Sequence, residues 1–393
     1  MKRPRWTPRV AALAVLIPLL AACGGTAPPA SSQSPPTASA AARSAGAAAA
    51  GAPAPGKSAE WDQLVASAKK EGKLSLTVPP GPQYQPALRE AFSKAFPGIE
   101  LEMVNLLGGQ FRVRLAKERT AGEFAWDACI CGPGADTYQL AKEGVFDPIR
   151  EEIILPELLE DGKWLAGFNG RYSDDGKKYV FDFGATNNQS SFVNRDLIPE
   201  LALNTYDDLW KPEFKGKIVW QDPRGPGSGV NQALLILLTK GERALRELWT
   251  NQQVLTSTDD RQMAEWMARG VRPIGIGIVA NRGVDLLKKE GIGLNVKPFP
   301  APKPSSSPGP HAVILINRPP HPNARKLFLN WLLTPEGQKV VLEPVRNNSA
   351  RLDVPPFDPD AVVPTGVETI SGQAEAYAPM RIKAGQIAMD VFK

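Results

Sequence analysis

The chain has 393 residues, 42% hydrophobic and 22% charged, with a formal net charge of +5. That composition is globular and long enough for one large or two ordinary domains at about 150 residues each. The cationic excess falls largely in the first 57 residues, so the rest is close to neutral and no nucleic-acid partner is expected.

Lys2, Arg3, Arg5 and Arg9 precede an apolar run at 10–20, the length of a signal h-region and too short to span a bilayer. Leu20, Ala21, Ala22 and Cys23 then resemble the lipobox of bacterial lipoproteins, which implies a processed leader (1–22) and an acylated Cys23 that anchors the chain to a membrane. Residues 23–57 are almost entirely Ala, Pro, Ser, Gly and Thr and cannot bury a core. They are expected to form a flexible, semi-extended tether.

The body starts at about residue 58. Periodicity predicts a helix over 61–71, a strand at 73–78, a helix over 85–96, a strand at 99–105, a helix over 111–121 and a strand at 125–131. A second series follows: strand 217–221, helix from 230, strand 253–256, helix 261–269, strand 273–279. Strands alternating with helices predict an α/β body with largely parallel sheets, in which ligands bind outside the carboxyl ends of strands. Cys129 and Cys131 fall on one strand face and are expected as two buried thiols, since a bridge across that spacing is strained. Paired C-x-x-C metal-ligand spacing is absent. His311 and His321, the only histidines, sit beside prolines and read as solvated or packed, so no metal site and no cofactor are expected.

The order of several segments is similar to bacterial extracellular solute-binding proteins of the iron-type ABC-transporter branch. These are Ala68-Lys-Lys-Glu-Gly-Lys73, Phe92 to Ile99, Tyr206-Asp-Asp-Leu-Trp210 through Lys217, Gly275 to Val279, and Asn330-Trp-Leu-Leu-Thr-Pro-Glu-Gly-Gln338. The resemblance implies a two-lobed fold of the periplasmic-binding-protein type 2, with two chain crossovers near 184–194 and 308–316. Lobe 1 is expected to hold 58–185 plus 312–393, and lobe 2 186–311. It also implies a small-molecule ligand in the interlobe cleft, an ABC permease as membrane partner, a monomer, and hinge closure that reports occupancy.

Relatives that hold ferric ion use adjacent tyrosines just after the strand matching 273–279; here that stretch reads Ala280, Asn281, Arg282, Gly283, without phenolate donors. Arginines take their place. Arg224 lies in a Pro/Gly loop with Ser228 before a helix start that favours anions, Arg282 lies in the tyrosine stretch, and Arg346 precedes Asn347 and Asn348. An anionic or zwitterionic solute is the expectation, with Tyr84, Gln110, Phe111, Asn188, Ser257, Thr258 and Asn281 as further candidates. Alternatives are a ferric ion or ferric-chelate carrier, a ligand-sensing receptor subunit, and a lipid-anchored hydrolase. Against the last, Gly225-Pro-Gly-Ser-Gly229 is not G-x-S-x-G, and no P-loop or H-E-x-x-H is present, so catalysis is not expected.

Overall fold

Short apolar runs alternating with amphipathic stretches lay down strands and helices in turn. The computed structural model describes residues 59–81, 84–187, 189–366 and 368–393; the leader, Cys23 and the tether lie outside the described residues. In chain order α1 (Ala59–Glu71), β1 (Lys73–Val78), α2 (Tyr84–Ala95), β2 (Glu100–Asn105), α3 (Gly108–Thr120), β3 (Ala128–Ile130), α4 (Ala135–Lys142), β4 (Phe146–Asp147), β5 (Phe181–Asp182) and β6 (Thr186–Asn187) come first. Next are β7 (Ser191–Asn194), β8 (Ile218–Gln221), α5 (Ser228–Asn251), β9 (Leu255–Ser257), α6 (Asp260–Ala268), β10 (Ile274–Ile276), α7 (Val284–Lys289) and β11 (Val296–Pro298). The chain ends with β12 (Ser305–Ser307), β13 (Ala312–Ile316), α8 (Pro322–Leu332), α9 (Pro335–Leu342), β14 (Ile370–Ser371) and α10 (Ala378–Val391).

The first sheet runs β2-β1-β3-β13-β4, with β5 also on β13. Strands β1, β2 and β3 are parallel, whereas β13 is antiparallel to its neighbours. Trp61, Leu64 and Ala68, spaced for one helical face, bury α1 beside α8. Glu71, at the end of α1, accepts from the free amides of Asn323 (3.1 Å) and Ala324 (2.8 Å) at the start of α8, which places a carboxylate on a helix amino terminus. Phe92 packs its ring against Phe96, Phe328 and Trp331 at 5.1, 5.7 and 5.5 Å, contacts worth about 0.5–1.5 kcal/mol each beyond area burial.

The second sheet runs β11-β7-β10-β8-β9, with β8, β9 and β10 parallel. Strand β8 is buried along its whole length, and Trp220 from it meets Trp249 of α5 edge-on at 5.7 Å. A third, small sheet, β14-β12-β6, joins the lobes. Strand β6 falls within the first expected passage (184–194), whereas β12 comes just before the second (308–316); β14 lies on a further passage, because the chain leaves the first core after Val363 and delivers α10 to the second. Residues 312–393 therefore do not all belong to lobe 1. Ala384, Ile387 and Ala388 of α10 are buried in the second core against α5, since an apolar helix docks wherever an unpaired apolar stripe remains.

The cysteines are the other correction. Cys129 and Cys131 do share one buried face, but they form a disulfide rather than two thiols, with Cα atoms 5.7 Å apart. That separation is within the usual bridging range of about 4.4–6.8 Å.

Candidate functional site

In lobe 2 the three parallel strands end in loops tied together by two buried side chains. Gln221, the last residue of β8, accepts from the Gly229 amide at 2.7 Å and donates to Asp260 Oδ1 at 3.4 Å. Asp260 Oδ1 also accepts from the Val279 amide at 2.9 Å, beyond β10, and Asp260 Oδ2 pairs with the Arg282 guanidinium at 2.9 Å. Burial raises the Asp260 carboxyl above its ordinary value, opposed by the Val279 N–H and by Arg282. A side chain on Gly229 would place Cβ 1.9 Å from the Gln221 carbonyl, so only glycine lets α5 start this close to β8. Ser228, the first residue of α5, is buried and its hydroxyl has no hydrogen-bond partner among the described residues. The result is a helix amino terminus with a free hydroxyl, linked through Gln221 and Asp260 to an arginine that is 62% exposed at its side chain.

In lobe 1 the matching loops lie beyond β2 and β3, at the starts of α3 and α4. Arg112, which the sequence reading missed, fills the space between them. Its Nη1 donates to the Gly132 carbonyl at 3.0 Å and its Nε lies 2.7 Å from Asp136 Oδ1. A Cβ on Gly108 or Gly134 would fall within 3.0 Å of the guanidinium, so the glycines make room for it. The Gly108-Gly109 pair three residues upstream was the available signal.

Other candidates are placed elsewhere. Phe111 is core, fully buried and edge-on to Trp126 at 5.6 Å, because one helical turn of α3 turns it inward. Gln110 closes the start of α3, its Oε1 accepting from the Leu107 amide at 3.2 Å. Tyr84 is buried and stacks on His311 at 6.0 Å; among the described residues its hydroxyl has no partner, and burial holds it well above the usual phenol range. Arg224 is engaged by Asp222 through Nε (2.9 Å) and Nη2 (2.6 Å) and donates to the Phe392 carbonyl at 2.8 Å, so it fastens the end of α10 rather than facing a ligand alone. Ser257 shapes the turn into α6, accepting from the Asp259 amide at 3.1 Å, and Thr258 is exposed. Arg346 is exposed, 3.9 Å from Asp358. Asn281 lies in the turn Ala280–Arg282, with its side chain outside the description, and Asn188 lies outside the described residues. Among the described residues no cluster of three or more His, Cys, Asp or Glu side chains is arranged to hold a metal ion.

Two α/β lobes joined by a small sheet, each presenting strand-end loops with an arginine, define a two-lobed binding protein. Residues 75–339 match the family of bacterial extracellular solute-binding proteins, and the chain belongs to that family. Comparison with curated protein sequences finds no relative. Similar solved structures include iron-bound HitA from Pseudomonas aeruginosa, with a TM-score of 0.60 and 17% identity, covering 81% of this chain and 99% of that one. The Trichodesmium protein IdiA (FutA) in complex with iron and citrate has a TM-score of 0.62 and 18% identity, with 81% and 99% covered. The Bordetella ferric binding protein has 0.61 and 19%, also with 81% and 99% covered. At these identities the likeness establishes the fold.

Proposed function

We propose that this solute-binding protein is the lipid-anchored binding component of an ABC importer, that it takes a small anionic or zwitterionic solute between its lobes, and that it hands the solute to a membrane permease without catalysis. The observation that carries the choice of solute is the unpartnered Ser228 hydroxyl at the start of α5, connected through Gln221 and Asp260 to the exposed Arg282. Free helix amides and a guanidinium fork both complement a carboxylate, phosphate or phosphonate. On the other lobe Arg112, buried and paired with Asp136, holds the strand-end loops of α3 and α4 together.

Iron enters only as possible cargo. Two of the similar structures named above hold iron and the third is a ferric binding protein, yet the turn Ala280–Arg282 offers an arginine paired to Asp260 where ferric-binding relatives offer phenolates, which suits an anion better than a bare cation. A thermal-shift screen against glutamate, phosphate, 2-aminoethylphosphonate, ferric citrate and ferric chloride tests the reading, since a ligand of the native state raises its melting temperature. An anion is expected to raise it, and Ser228→Ala and Arg282→Ala each to weaken that anion about tenfold. Stabilisation by ferric chloride alone would reverse the assignment.

A further inference from the structure

Away from the strand-end loops, a cavity of about 410 Å³ lies in lobe 1 between the segment around Arg171, strand β5 and the tail that leads to β14. That volume is in the range of small-molecule pockets, about 300–1,000 Å³. None of the residues placed at the interlobe site lines it.

Its polar groups are unusual in being both buried and incompletely paired. Arg171 is 7% exposed; Nε donates to the Asp182 carbonyl at 3.2 Å and Nη1 to the Leu165 carbonyl at 2.9 Å. Among the described residues its guanidinium makes no close ion pair; the opposing charge it feels is that of Asp182, on the same wall of the cavity. Asp182 is 3% exposed; Oδ2 accepts from the Ser173 hydroxyl at 2.5 Å, while Oδ1 has no partner among the described residues. The hydroxyls of Tyr172 and Ser371, also on the wall, are buried and have no partner among the described residues. Four polar groups thus lack what a ligand supplies: an anion for Arg171, and donors or acceptors for Asp182, Tyr172 and Ser371.

We propose that this cavity is a second binding site, for a free α-amino acid, with the carboxylate on Arg171 and the ammonium on Asp182 and Tyr172. The assignment follows from a cation and a half-paired carboxyl that line one small space without a direct ion pair between them, which is the charge pattern of a zwitterion in reverse. Ser306 of β12 and Ser371 of β14 belong both to the wall and to the small sheet joining the lobes, so an occupant touches the hinge. The proposal does not draw on the interlobe reading.

Calorimetric titration of the full-length protein with L-glutamine tests it, with glutarate, which has no ammonium group, as the comparison. We expect saturable glutamine binding, weakened about five- to tenfold by Tyr172→Phe and at least about tenfold by Asp182→Asn. Arg282→Ala should leave it unchanged, and circular dichroism should show both cavity variants folded. Tyr172→Phe removes one oxygen only and keeps the test valid if Asp182→Asn fails to fold. Three results would each overturn the proposal: no heat at millimolar glutamine, glutarate binding as tightly as glutamine, or glutamine binding that responds to Arg282→Ala and ignores Tyr172→Phe. The last would assign glutamine to the interlobe site and leave the proposed function standing.

Discussion

Two buried residues give this protein opposing pH responses. Burial pulls the His311 imidazole from its ordinary 6.5 down to about 4, against a smaller opposing hydrogen bond to the Pro308 carbonyl. A folded-state value below the unfolded one means that the contribution is present above pH 6.5 and is lost as pH falls through 4. Asp182 behaves in the other sense. Burial raises it from 3.8 to about 7, partly offset by Arg171 and by Ser173, so its contribution is full below pH 3.8 and is lost as pH rises through 7. Denaturant unfolding from pH 4 to 7 is expected to show the stability of wild type relative to His311→Phe increasing with pH, by on the order of 2–3 kcal/mol. Relative to Asp182→Asn it should decrease by on the order of 4 kcal/mol. A difference independent of pH for either pair would contradict the assigned burial effect. Gly229 makes a steric prediction at the same scale: with Cβ 1.9 Å from the Gln221 carbonyl, Gly229→Ala should destabilise by about 3 kcal/mol in the same unfolding measurement. The motif Gly225-Pro-Gly-Ser-Gly229 exposed the glycine to sequence reading, but its partner across the strand end could be seen only in three dimensions. Residue type and position after an apolar strand were enough to nominate Ser228 and Arg282, but their connection through Gln221 and Asp260 emerged only in three dimensions. Arg112 was not, because its glycine surroundings come from two loops more than twenty residues apart.

Among the elements, helices with an apolar face at three- and four-residue spacing were readable nearly to their ends, as in α1 and α2, where one stripe decides burial. Strand ends were harder. The run expected as strand 273–279 pairs only over Ile274–Ile276, because Gly277 adopts φ 81° and turns the chain out of the ladder. The helix expected from 230 instead runs Ser228–Asn251 with a break at Gly241, φ 81°. The joint between α1 and α8 was invisible to local pattern, since Glu71 and Asn323 meet only after the sheet has formed. Glu71→Ala removes the carboxylate that accepts from Asn323 and Ala324 and is expected to cost about 1–2 kcal/mol, read as a lower denaturation midpoint at unchanged slope. An unchanged midpoint would show that water replaces that acceptor at no cost.

At the scale of the molecule, alternating strands and helices announced two α/β lobes, and segment order announced the family, but the destination of the last helix was not written in its own residues. Helix α10 carries a weak apolar stripe, and its place is set by α5, by Lys383–Glu242 at 2.9 Å and Arg246–Asp390 at 3.0 Å, and by Arg224 on the Phe392 carbonyl. Ending the chain at Tyr377 should expose buried α5 surface and lower the melting temperature by at least about 5 °C, measured by calorimetry. Before reaching α10 the tail is fastened to the first lobe: Tyr138 donates to the Gln373 carbonyl, Lys142 pairs with Glu375 at 2.8 Å, and the Glu375 amide donates to the Ser173 carbonyl at 2.8 Å. Three covalent links rather than two therefore bridge the halves. A protease that nicks any single bridging strand leaves two intact, so a clipped molecule should run as two bands on a denaturing gel yet elute from a sizing column as one undivided particle.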